Sequence, residues 1–156
     1  MYLKVFKMKK TITILSLTLL ISCKSKKNDS SATIVESSKV EAIKKNRAYD
    51  LGTRLLESCN TSRFKAFSKE EATDKVIQNA TPEKITATCL KIRHRNGKFN
   101  FIKLIDISYL KASEEYVFRY KIDYEKKYFM RELSVTINKE NKVSAISTKE
   151  VKPKPL

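Results

Sequence analysis

The apolar positions of this chain change period along its length, and the changes divide it into segments. From Thr11 to Ser22 they run together, broken only by Thr and Ser, behind the basic residues Lys7, Lys9 and Lys10. Residues 24–35, Lys24-Ser25-Lys26-Lys27-Asn28-Asp29-Ser30-Ser31-Ala32-Thr33-Ile34-Val35, are polar and rich in Ser and Lys, the composition of a spacer. From Ser38 to Asn96 the apolar residues recur at helical spacing, and beyond Gly97 they alternate with polar ones as in a half-buried strand.

Within the helical stretch, Ser38 and Glu41 have the spacing of a capping box. Val40, Ile43, Leu51, Leu55 and Cys59 share a face, which predicts a long first helix ending near Asn60-Thr61-Ser62. Ser68 with Glu71 repeats the capping signature ahead of Ala72, Val76 and Ile77. Thr81-Pro82-Glu83 opens a third helix with proline at its first position, lined by Ile85, Cys89 and Ile92 and stopped by Asn96-Gly97. Phe64 and Phe67, between the first two helices, are expected to plug the core edge.

The alternating stretch predicts strands through Phe99, Phe101, Ile105 and Ile107; through Tyr116, Phe118, Tyr120, Ile122 and Tyr124; through Phe129, Leu133, Val135 and Ile137; and from Val143 to Val151. Glu125-Lys126-Lys127 and Asn138-Lys139-Glu140-Asn141-Lys142 read as hairpin turns. The expected fold class is α+β, with three N-terminal helices packed on a curved four-stranded antiparallel sheet over residues 38–151. A tether over 23–37 would precede that domain, and a short tail over 152–156 would follow it.

The first apolar run is too short for the roughly 20 residues that span a bilayer, but it suits the hydrophobic region of a secretory signal. Its last residues, Leu20-Ile21-Ser22-Cys23, resemble the bacterial lipobox, with an aliphatic residue three places before the cysteine and a small residue just before it. The resemblance implies that residues 1–22 are a lipoprotein signal peptide, cleaved after Ser22, and that Cys23 receives a diacylglyceryl group through a thioether. Met8 serves equally as the start of such a signal. By the sorting rule of Gram-negative lipoproteins, Lys24 after the cysteine implies an outer-membrane anchor facing the periplasm.

Charge adds to this picture. The chain carries 33 basic and 17 acidic residues, a formal charge of +16, and loss of residues 1–22 would remove only Lys4, Lys7, Lys9 and Lys10. The excess is dispersed, which favours polyanions such as anionic headgroups or envelope polysaccharide, and no groove-binding motif points to nucleic acid. Two glycines, Gly52 and Gly97, exclude Gly-rich phosphate cradles. Export would place Cys59 and Cys89 where disulfides form, so a bonded pair and two buried thiols are both open readings.

Beyond Gly97, the motifs Asn96-Gly97-Lys98-Phe99, Tyr116-Val117-Phe118-Arg119-Tyr120 and Val143-Ser144-Ala145-Ile146, preceded by the helices, resemble the nuclear transport factor 2-like, cystatin-like cone fold. That resemblance implies a cone whose open end forms an apolar pocket, in which Tyr116, Phe118, Tyr120, Tyr124 and Arg131 are the candidate lining residues. Enzymes of that fold place Asp and His in the pocket. Here the single histidine, His94, lies near a helix end between Arg93 and Arg95, and no catalytic set or metal-ligand spacing is evident. Asp106, Asp123 and Glu132 are expected to pair across strands with Arg119, Lys121 or Arg131. The expected function is a lipid-anchored, non-enzymatic binding module for an envelope protein or an amphipathic ligand, with no cofactor besides the lipid on Cys23. The alternatives are a small pocket enzyme and a polyanion-binding surface protein.

Overall fold

Five strands and three α-helices make up residues 32–152, the part of the chain that the computed structural model describes. In order they are β1 (Ala32–Val35), α1 (Ala42–Thr61), α2 (Asp74–Asn79), α3 (Pro82–Asn96), β2 (Phe99–Leu110), β3 (Glu115–Tyr124), β4 (Met130–Ile137) and β5 (Val143–Val151). The strands form one antiparallel sheet in the order β1-β2-β3-β4-β5. The lipobox residues Leu20, Ile21, Ser22 and Cys23 lie outside the described residues, as does most of the spacer.

The fold class is the expected α+β, but the sheet has five strands rather than four. The additional strand falls inside the stretch read as tether. Thr33, Ile34 and Val35 are β-branched and pair Ala32–Val35 with Leu110–Ile107 at the far end of β2. Four residues are too few to show a period, and three of them are exposed, so their neighbours' polarity masked them. Residues 32–35, within the stretch read as tether, are therefore part of the sheet.

Helix starts differ for similar reasons. Ser38 lies in a short 3-10 turn, Ser37–Lys39, and α1 is entered at Glu41, which makes no side-chain cap and instead pairs with Lys44 at 3.0 Å. The second capping box does form its return bond, with the Ser68 amide donating to Glu71 Oε2 at 2.9 Å. No helix follows directly, because the next backbone groups go to the sheet: Val143 donates to the Glu71 carbonyl at 2.9 Å, and Thr73 donates to the Val143 carbonyl at 3.0 Å. α2 starts only at Asp74 and lasts six residues. Thr81 caps α3 as read, with Pro82 behind it, and Gly97 closes that helix at φ 75°.

The core is one layer of side chains between α1 and the sheet. Phe118, Leu133, Val135, Ile137 and Val143 are wholly buried. Gly52 lets the helix backbone lie directly on β4, since a Cβ there would stand 2.7 Å from Leu133 Cδ2. Two register shifts, between Phe99 and Phe101 and between Leu104 and Asp106, break the alternation in β2. As a result Ile102 turns inward, while Phe101 and Ile105, read as core partners of Phe99 and Ile107, are exposed.

Candidate functional site

The short α2 leaves a gap beside β5, and the gap is a cavity of about 280 Å3. Leu55 and Leu56 of α1, Val76 and Ala80 of α2, Ile92 of α3 and Ile146 of β5 give it an apolar wall. Cys59 and Cys89 complete that wall and are joined by a disulfide that ties α1 to α3, with their Cα atoms 4.7 Å apart. The loop that the bond closes carries the Phe64–Phe67 edge pair, α2 and the start of α3.

Polar groups gather at the rim. Lys75 and Asn79 come from α2, Thr88 from α3, and Ser144, Ser147 and Thr148 from β5. Thr148 Oγ1 accepts a hydrogen bond from Arg131 Nη2 at 3.0 Å, so its own hydroxyl hydrogen stays available. Arg131 also lies 3.8 Å from Glu150, which pairs with Arg95 at 3.2 Å, and the Arg95 guanidinium stacks 4.1 Å from the ring centre of Phe129.

The residues expected to line a pocket lie elsewhere. Tyr116, Phe118, Tyr120 and Tyr124 do share one face of β3, but α1 covers that face, and none of them lines the cavity. Phe118 is wholly buried, Tyr120 packs edge-on against Tyr49, and Tyr124 packs edge-on against Phe99. Burial pushes both phenols up, that of Tyr124 to about 12. Tyr116 is half-buried, packs at a tilt against Tyr109 and has Lys44 Nζ 6.0 Å from its ring centre. Arg131 does not line the cavity either and touches it only through Thr148. Helical spacing places Cys59, Cys89 and Ile92 on inward helix faces, but nothing in the segments of Lys75 and Thr148 marks a gap between α2 and β5.

The remaining charges are arranged as sheet-surface pairs. Arg119 forks onto Asp106, with Nε at 2.9 Å, and reaches Glu132 at 3.6 Å; the Asp106 contact raises the Arg119 pKa. Asp123 accepts from Asn100 at 2.8 Å and pairs with Lys127, and both contacts lower its pKa. Arg54 grips Glu71 through two hydrogen bonds of 2.9 and 2.7 Å, which hold that carboxyl down at about 2. His94 is exposed, and its carbonyl accepts from Lys126 Nζ at 3.2 Å. Among the described residues, no cluster of three or more His, Cys, Asp or Glu side chains could hold a metal ion, and no helix is long and apolar enough to cross a membrane. Comparison with protein-family models, curated proteins and solved structures found no match to this chain.

Proposed function

We propose that the chain is a lipid-anchored protein of the bacterial cell envelope, held through Cys23 at the outer membrane, whose domain binds a small amphipathic ligand without catalysing a reaction. The observation that carries the binding half is the cavity, with its apolar wall and one polar rim between α2 and β5. The lipobox resemblance of Leu20-Ile21-Ser22-Cys23 supports the anchor, and a disulfide between Cys59 and Cys89 suits an oxidising compartment. A long helix laid on a meander of strands also suits the cystatin-like cone, with the pocket at the seam of helices and sheet instead of on the aromatic face of β3.

Two comparisons test the two halves. Intact mass and membrane fractionation of the wild type beside Cys23→Ala should give a lipidated, pelleting wild type and a soluble, unprocessed variant; a soluble, unprocessed wild type removes the anchor. Native mass spectrometry of membrane-extracted protein should show a bound small molecule that is lost in Ala80→Trp, whose indole would fill the cavity. Identical spectra would withdraw the cavity as the binding site.

A further inference from the structure

The cavity wall and rim differ in a way that selects a ligand. The wall offers only aliphatic carbon and the disulfide sulfurs, around a space of about 280 Å3. That suits the tail of a single-chain amphiphile. The rim contains Lys75, and no acidic side chain lines the cavity beside it. Thr148 has its acceptor occupied by Arg131 and keeps a donor, while behind it two guanidiniums, Arg131 and Arg95, share the single carboxylate of Glu150. Lys75 is therefore the one charged side chain that lines the cavity, Thr148 offers a donor there, and no carboxylate that a cationic head would need lines it.

Resting on the reading of the cavity as a binding site, we propose that its ligand is a single-tailed anionic amphiphile of the fatty-acid type. The tail lies against Leu55, Val76, Ala80 and Ile146, and the carboxylate sits between Lys75 and Thr148. The polarity of the ligand thus follows the polarity of the seam: tail toward the disulfide, head toward the α2–β5 opening. Each methylene removed from a tail that fits should weaken binding about fourfold, until the head can no longer reach the rim with the tail buried.

The test is displacement of dansyl-labelled undecanoate from the full chain by dodecanoate and, separately, by dodecyltrimethylammonium. The apolar run Thr11–Ser22 is common to all variants, so their differences report the cavity. Dodecanoate is expected to displace the probe at far lower concentration than the cation, and Lys75→Glu should weaken dodecanoate by on the order of tenfold while favouring the cation. Equal displacement by the two heads on the wild type, a comparison that needs no variant, overturns the anionic assignment yet leaves the cavity as a site. Wild-type probe binding in an Ala80→Trp variant with an unchanged circular dichroism spectrum overturns both.

Discussion

Two side chains show how local surroundings set residue-scale behaviour. Tyr124 is buried against Phe99, and its hydroxyl finds no hydrogen-bond partner in the protein. A buried, unsatisfied hydroxyl costs more than it returns, so Tyr124→Phe should raise stability by about 1 kcal/mol at neutral pH, as read from the urea midpoint. The same burial lifts its pKa from 10.0 to about 12. The unfolded chain then loses this proton first, and stability falls as pH rises from 10 toward 12. Tyr124→Phe should flatten part of that alkaline limb, with Tyr120 retaining the rest. Glu71 has the opposite sign. Its carboxyl is lowered from 4.5 to about 2, first by the Arg54 hydrogen bonds, so its contribution is full above pH 4.5 and is lost as pH falls through 2. Glu71→Gln should cost on the order of 2 kcal/mol at neutral pH and nearly nothing at the acid end of a pH series of urea titrations.

At the scale of elements, α1 depends on a glycine that a helix would ordinarily avoid. Gly52 sits in mid-helix, where alanine is intrinsically better by about 1 kcal/mol. A methyl group there would come within 2.7 Å of the wholly buried Leu133, so Gly52→Ala should nonetheless destabilise the domain by about 1–3 kcal/mol in chemical denaturation. Elements with a strong, uninterrupted period were legible in the sequence: α3 with its Thr81-Pro82 start, the aromatic strand β3, and the turn from Asn138 to Lys142. What escaped was decided by partners distant in the chain. β1 is recognisable only once the end of β2 lies beside it, the faces of β2 are set by its register shifts, and α2 is delayed because Val143 takes the backbone groups around Ala72. The aromatic stripe was correctly placed on one face, but sequence could not say that α1 would cover it. The cavity arises from the shortness of α2, which no single segment displays.

Across the whole molecule, the bond between Cys59 and Cys89 fixes α3 to α1 around a separation of 30 residues. Closing a loop of that length restricts the unfolded chain enough to stabilise the fold by about 3–4 kcal/mol. Cys59→Ala with Cys89→Ala should lose that amount in denaturation and, because both sulfurs belong to the cavity wall, should also weaken the amphiphile binding proposed for it. The helices and sheet are otherwise held by one shared core, so loosening α3 should open the cavity beside α2 and β5 before it disturbs β3 and β4, a sequence that hydrogen exchange of the two regions would follow.

The same bond settles the cysteine inventory of the chain. Of three cysteines, two are consumed by each other, and one is left over, Cys23. A thiol at that position would be an odd partner, able to attack the Cys59–Cys89 bridge and shuffle it, whereas a thioether cannot. Thioether formation at Cys23 would thus protect the pairing that braces the cavity, 36 and 66 residues further along the chain, by sparing the chain its only potential exchanger. Maleimide labelling of the denatured, unreduced protein measures this directly: no modified cysteine is expected in the processed protein, and one modified cysteine, at position 23, would show that the exchanger is still present.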